Sequence, residues 1–170
     1  MASLEFFRTC GKALSITGSL LIGISFITPW IKVTYLGSLT MVDLLWKQGT
    51  WPNAEKFLAL DLTKNVPIAV TGGVLSLLSL AAGLSVTYSK RAKILTALTA
   101  LSSVMAILGS LLWILSTNGT KITLQGVTLL MSVEYGPYVA VIGGALMAAS
   151  SYFFHSASAY DSQRERNVKV

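Results

Sequence analysis

The stretch Ile94–Ser116 reads ILTALTALSSVMAILGSLLWILS and is apolar or small on every side of a helix. A helix in water keeps one polar face, whereas a helix whose solvent is lipid does not need one. The stretch is also long enough to cross the hydrocarbon core of a bilayer. It therefore predicts a membrane-spanning helix.

Three other segments have the same character, and together with the first they divide the chain of 170 residues. The predicted spans are 13–28, 66–88, 94–116 and 138–154. Between them lie two exterior loops, 29–65 and 117–137, and a tail follows at 156–170. The chain is thus predicted to be a single membrane domain, an all-α four-helix bundle with a small exterior antiparallel β-sheet.

The positive charges predict the orientation of this bundle. The link Ser89–Lys93 carries three of them, and further positive residues flank the first and last spans: Arg8, Lys12, Arg164, Arg166 and Lys169. All these regions lie on one side of a four-span protein. The positive-inside rule makes that side the cytoplasm. We therefore expect a protein of the cell membrane, in contact with membrane lipids, with both termini cytoplasmic.

The span interiors contain no Asp, Glu, Lys, Arg or His. Pumps and secondary transporters usually need at least one such residue, so the pattern disfavours them. Small residues are frequent instead, and they allow helices to pack closely in lipid. The helix-packing candidates are Gly18, Gly72, Gly73, Gly83, Gly109, Gly143 and Gly144.

Composition excludes several other classes of protein. The net charge is +6, but the basic residues lie beside the apolar segments and form no basic helix face, which disfavours nucleic-acid binding. One Cys and one His can form neither an intrachain disulfide nor a Cys/His metal cluster. No catalytic set of residues is present, so we expect no enzyme, no cofactor and no metal.

Both exterior loops show the period of two that is typical of strands. Ile31, Val33 and Tyr35 alternate with other residues before Gly37-Ser38, which we predict to be a two-residue hairpin turn, and the extended pattern resumes over 39–45. The second loop alternates over 121–125, breaks at Gly126 and continues over 127–134. We expect these two ribbons to pair into one sheet, because an isolated hairpin is only marginally stable.

Aromatic and apolar loop residues have two interpretations, a partner surface or the small core of the sheet, and we favour the core for Trp46, Trp51 and Phe57. The candidates for the exterior sheet or for an interaction are Trp30, Tyr35, Leu45, Trp46, Trp51, Phe57 and Tyr135. Rings near span ends are predicted to anchor at the headgroup level, namely Trp30, Trp113, Tyr88, Tyr138 and Tyr152. Asn118-Gly119-Thr120 is a candidate glycosylation site.

Several of these features resemble the claudin-like four-span family. Trp30 stands at the end of the first span, Leu44-Leu45-Trp46 stands where that family has Gly-Leu-Trp, and 127–138 is similar to the strand that enters its fourth span. The resemblance implies a bundle with an exterior sheet and lateral assembly. The two loop cysteines of that family are absent here, so the sheet would hold without a disulfide.

Two functions fit this sequence, and a third fits less well. The first is non-catalytic lateral assembly or structural interaction through the exterior sheet, with copies of the chain or other membrane subunits as partners. The alternative is an accessory subunit of a larger membrane enzyme complex of respiratory or oxidase type. A small pore lined by Ser and Thr is the least favoured of the three.

Overall fold

A computed structural model describes residues 2–35, 37–42, 92–119, 121–124 and 126–168, together with Leu75, Leu78 and Ala81. In this part of the chain three helices are long and apolar enough to cross a membrane. They are α1 (Ala2–Ile27), α2 (Ala92–Thr117) and α3 (Gly136–Val168). Of the second predicted span, 66–88, only the three single residues are described, and each is helical. A membrane protein is therefore indicated, with three helices of the predicted four-helix bundle shown.

Helix α3 packs along both α1 and α2. Adjacent serines on α3 hydrogen-bond to one neighbouring helix each. Ser150 Oγ donates to the carbonyl of Gly11 at 2.7 Å, and Ser151 Oγ donates to the carbonyl of Thr96 at 3.2 Å. Hydrogen bonds of this kind contribute about 0.6 kcal/mol on average between membrane helices.

Glycines set the closest approach of these helices. A Cβ on Gly18 would lie 2.7 Å from the carbonyl oxygen of Gly143, and a Cβ on Gly143 would lie 2.7 Å from that of Gly18. On the other side of α3, a Cβ on Gly144 would meet Ile107 Cγ1 at 2.9 Å. Gly109 is also buried, whereas Gly72, Gly73 and Gly83 lie outside the described residues. The α1–α3 contact is thus made by backbone against backbone.

Four strands form one antiparallel sheet at the ends of the helices, in the order β2-β1-β4-β3. The strands are β1 (Pro29–Val33), β2 (Gly37–Thr40), β3 (Lys121–Leu124) and β4 (Val127–Val133). The two ribbons are joined by β1 and β4, which pair with Ile31 opposite Val133 and Val33 opposite Met131. The predicted pairing of both exterior ribbons into one small sheet is confirmed.

The first hairpin turns three residues earlier than predicted. Thr34 and Tyr35 lie in the turn, and Gly37 is already the first residue of β2, paired with Val33. Both Tyr35 and Gly37 have positive φ, at 68° and 108°. The turn predicted at Gly37-Ser38 is therefore wrong, because the glycine provides its unusual backbone geometry at the strand end rather than between the strands.

Strand β2 is also shorter than the extended run predicted over 39–45. It ends at Thr40, and Met41 and Val42 are helical. Thr40 pairs with Pro29, the first residue of β1, so the ladder stops where its partner strand stops. Residues 43–45 lie outside the described part of the chain.

The second hairpin matches its prediction closely. Leu124 pairs with Val127, and Gly126 lies in the turn between the two strands. Gly126 has a φ of 83°, which a primed two-residue turn requires and which glycine adopts at no steric cost.

Local sequence explains why each helix ends at the sheet. The residue before a proline is disfavoured in helical conformation, so α1 stops at Ile27, just before Thr28-Pro29. Helix α2 ends at Thr117, and Gly119 follows with a φ of 76°, in the left-handed conformation typical of a helix C-terminus. Helix α3 begins at Gly136-Pro137, where a proline costs no hydrogen bond.

Candidate interaction surface

Trp30 joins the sheet to the helices. Its side chain is completely buried, and its indole Nε1 donates to the carbonyl of Ser25 near the end of α1. The same carbonyl accepts from the Thr28 hydroxyl at 2.8 Å and from the Thr28 backbone N–H at 3.3 Å, so this helix-end carbonyl is satisfied by groups beyond the helix. Trp30 lies in the sheet, as its place among the exterior-sheet candidates predicts. The prediction that it anchors at the headgroup level is wrong, because the chain turns back over the helix end and covers the ring.

Trp113 is the second ring of this contact between sheet and helices, which we call the joint and which comprises Phe26, Trp30, Trp113 and Gly136. Its ring centroid lies 5.3 Å from that of Trp30, with the two ring planes at 82°. On Trp30 also lies the ring of Phe26, with the centroids 6.1 Å apart and the planes tilted by 46°. Trp113 is 6% exposed, so its predicted anchoring role is also wrong, and its Nε1 has no hydrogen-bond partner in the part of the chain described. Tyr138 and Tyr152 are exposed, as anchoring requires, and Tyr88 lies outside the described residues.

Gly136 makes room for the joint. A Cβ there would overlap Cδ1 of Trp30 and lie 2.8 Å from the carbonyl oxygen of Pro29. Its N-terminal neighbours reinforce the contact, because the Glu134 N–H donates to the Trp30 carbonyl at 3.2 Å. The start of α3, the end of α1 and the first strand thus meet at one point.

The two faces of the sheet differ sharply in how far their side chains are exposed. One face packs onto the joint and is buried, and its members are Ile31, Val33, Leu39, Leu129 and Met131, joined by Met41 just beyond β2. Alternation along the strands places the residues between them on the opposite face. This opposite face, which we call the outer face, carries Lys32, Thr34, Ser38, Lys121, Thr128, Leu130 and Ser132.

The outer face combines two lysines with one large apolar side chain. Lys32 pairs with Ser132 on β4, and Lys121 pairs with Leu130, two residues away on the same strand. Both lysines are exposed, and Leu130 is 47% exposed although it pairs with Lys121 on one side and hydrogen-bonds to Thr34 of the first hairpin on the other. Among the described residues, neither ammonium group has an ion-pair or hydrogen-bond partner.

Tyr35 lies at the tip of the first hairpin, away from the helices. Its side chain is 91% exposed, the largest exposure of any large apolar or aromatic residue in the described part. Its φ of 68° is rare for an aromatic residue and costs about 1–2 kcal/mol. A strained and exposed aromatic residue at a loop tip is typical of a contact site.

The remaining predicted residues are distributed as follows. Tyr135 is 54% exposed, between β4 and α3. Asn118 lies in the turn after α2 and is exposed. Its backbone N–H donates to the carbonyl of Ile114 at 3.0 Å. Leu45, Trp46, Trp51 and Phe57 lie outside the described residues, and the choice between partner surface and sheet core stays open for them.

Groups of His, Cys, Asp or Glu that could hold a metal ion are absent from the described residues. No protein-family model matches this chain, and neither curated proteins nor solved structures give a match.

Sequence reasoning missed three residues of the surface and its joint. Lys32 and Lys121 were visible as the polar partners in alternating runs, but their position on either side of β4 depends on the strand order. Gly136 stands before Pro137, where the sequence indicates only the end of a strand and the start of the fourth span. No local pattern indicates that a tryptophan from the first loop packs against it.

Proposed function

We propose that this chain is a non-catalytic protein of the cell membrane that holds neighbouring membrane proteins, copies of itself included, through its sheet. One observation carries the proposal, namely a sheet with one face sealed onto the helices and the other face exposed. Two large side chains are exposed there, Leu130 on the outer face and Tyr35 at the tip of the first hairpin. An isolated exposed apolar residue is ordinary, but beside these two lie Lys32 and Lys121, which have no ion-pair partner among the described residues.

Charge placement supports a location of the sheet outside the cell. The ends of α1 and α2 that lie far from the sheet carry Arg8, Lys12 and Lys93. Positive residues concentrate on the cytoplasmic side of membrane proteins. The proposal therefore places both termini in the cytoplasm and the sheet on the opposite side.

The helices support a structural rather than a catalytic role. Between Ala13 and Ile27, Ile94 and Thr117, and Gly136 and Phe154, the sequence has no acidic, basic or histidine side chain. Ion pathways and proton relays rely on such groups inside the membrane. Small residues and close backbone contact, as at Gly18 and Gly143, favour a compact scaffold.

The test is the mass and composition of the particle extracted from native membranes in a mild detergent. Several copies of this chain alone, or this chain with other membrane proteins in fixed ratio, would support assembly. Redox or transport subunits in that ratio would favour the accessory-subunit alternative over self-assembly. A particle that contains a single copy and nothing else would refute the proposal.

A further inference from the structure

We infer that the outer face of the sheet docks an extended acidic segment of a neighbouring protein, with one carboxylate on Lys32, one on Lys121 and an apolar side chain on Leu130. The inference rests on the proposed function only for the location of this face outside the membrane. Its basis is the geometry of three described side chains and the charge they present.

The strand register fixes the spacing of the two lysines. Lys32 lies beside Ser132 on one side of β4, and Lys121 lies beside Leu130 on the other. Two strand spacings across the sheet and two residues along it separate the two Cα atoms by about 12 Å. Residues four apart in an extended segment point to the same side and are about 13 Å apart. Two carboxylates at that spacing therefore match the two ammonium groups. The residue midway between them lies over β4 between Leu130 and Ser132, with its side chain next to Leu130.

Among the described residues, no carboxylate compensates this pair of positive charges. Glu134, just beyond β4, is the carboxylate nearest in sequence to the described strands, and it makes no ion pair with either lysine. The other described residues of the outer face carry hydroxyl groups, and two of these are already engaged with the backbone. Thr34 Oγ1 donates to the carbonyl of Leu130 at 3.1 Å, and Ser132 Oγ donates to that of Lys32 at 3.5 Å. Among the described residues of the outer face, the two lysines are thus the charged groups that a partner would meet.

A second copy of the same face is a poor occupant. Face-to-face pairing of two identical sheets would bring two lysines of each copy together, and like charges opposed across an interface are unfavourable. A segment with carboxylates gains from the same arrangement and is steered toward it by the positive potential. The chemistry of the outer face therefore selects an acidic partner.

The test uses the full-length chain in nanodiscs of neutral phosphatidylcholine and three fluorescent peptides. The probe SETLTES has glutamates four residues apart with a leucine midway. The control SEETLTS has the same composition with adjacent glutamates, and SKTLTKS reverses the charge. We expect SETLTES to bind most tightly, by about threefold or more over SEETLTS, and its binding to fall at about 0.5 M salt.

Two double variants locate the binding. Lys32→Glu/Lys121→Glu is expected to weaken the binding of SETLTES about tenfold or more and to favour SKTLTKS. The matched control Lys12→Glu/Lys93→Glu makes the same change of charge at the opposite end of the helices and should leave binding within about twofold. Near-UV circular dichroism identifies any variant that is misfolded, and Lys32→Gln/Lys121→Gln then replaces it, with an expected loss of about threefold.

Three results would overturn the inference. In the first, SETLTES binds no better than SEETLTS, or Lys32→Glu/Lys121→Glu leaves its binding unchanged. In the second, the lysines are required for binding to vesicles containing phosphatidylserine but not to the peptide, which makes the outer face a lipid site. In the third, the lysines are required for self-association of the chain. The peptide measurements do not depend on the composition of the native particle, so a single-copy particle would refute the proposed function and leave this result standing.

Discussion

The contact between Gly18 and Gly143 gives the sharpest prediction, that Gly143→Ala destabilises the helices. The new Cβ would lie 2.7 Å from the carbonyl oxygen of Gly18, 2.8 Å from Ile22 Cγ1 and 3.1 Å from the Ile22 nitrogen. Two of these three atoms belong to the backbone of α1, so no change of side-chain rotamer can relieve the overlap. Helices α1 and α3 must move apart by several tenths of an ångström.

Two opposing effects determine how much stability Gly143→Ala loses. Overpacking of a tight contact costs about 1–3 kcal/mol. Alanine in place of glycine inside a helix favours the folded state by about 0.5–1 kcal/mol. Since the overlap is with backbone atoms, we place the overpacking cost in the upper part of its range. The net expectation is a loss of about 1–2 kcal/mol in the free energy of unfolding.

The assay is reversible unfolding of the purified chain in mixed micelles, driven by an increasing mole fraction of dodecyl sulfate and followed by near-UV circular dichroism. Two neighbouring positions on α3 serve as controls. Gly144→Ala meets a side-chain atom first, Ile107 Cγ1 at 2.9 Å, and its nearest backbone atom, the Ser103 carbonyl oxygen, only at 3.3 Å. Its loss should therefore be smaller, about 0–1 kcal/mol. Ala145→Leu adds bulk at an exposed position and should change stability by less than about 0.5 kcal/mol.

The double variant Gly18→Ala/Gly143→Ala tests whether both glycines act at one contact. Once the first alanine has separated the helices, the second one meets less resistance. The double variant should therefore lose at least about 0.5 kcal/mol less than the sum of the two single losses. Additive losses, a Gly143→Ala variant as stable as the wild type, or an Ala145→Leu variant that loses as much would each refute the reasoning.

Three further predictions concern single hydrogen bonds and turns, all measured by the same unfolding assay. Trp30→Phe breaks the hydrogen bond to the Ser25 carbonyl, whereas Trp113→Phe removes a buried indole N–H that has no partner among the described residues. The first variant should therefore lose at least about 1 kcal/mol more stability than the second, and equal losses would contradict this. Ser150→Ala should cost about 0.6 kcal/mol, whereas Ser156→Ala, whose hydroxyl bonds its own helix, should cost less, and the reverse order would contradict the helix contact. Gly126→Ala should cost about 1–2 kcal/mol because Gly126 has a φ of 83°. No atom lies within 4 Å of the new Cβ, so backbone strain alone accounts for this cost, and a neutral result would exclude the assigned turn.

The helices and the second hairpin could be predicted because their signals are local. An apolar run of sufficient length specifies a membrane helix whatever surrounds it, and α1, α2 and α3 each contain one. Likewise, Gly126 between two alternating runs specifies a two-residue hairpin, since only a residue that tolerates positive φ fits there.

The first hairpin and the tryptophans could not be predicted because they depend on distant partners. The end of β2 is set by the start of β1, which in turn is set by the end of α1. Trp30 at a span end has the same local sequence context as a ring at the headgroup level. It is buried because Trp113 and Gly136, far away in the sequence, surround it.

The candidate surface falls between these two cases. Alternation identified Lys32 and Lys121 as polar positions of their strands, which is local information. Their common face, and the position of Leu130 between them, follows from the strand order β2-β1-β4-β3. Neither loop contains a local signal that β1 and β4, rather than β2 and β3, form the centre of the sheet.

The helices explain how this sheet holds together in a chain with a single cysteine. Thr28 alone separates α1 from β1, and Glu134 and Tyr135 alone separate β4 from α3. Packing of Gly18 on Gly143 and of Trp30 on Gly136 brings these two helix ends together. Strands β1 and β4, about 100 residues apart in the chain, therefore pair as if they were joined by a short loop. A disulfide would hold two strands together in the unfolded chain as well, whereas here the strands are held close only while α1 and α3 are packed. A change that separates α1 from α3 should therefore loosen the β1–β4 ladder as well.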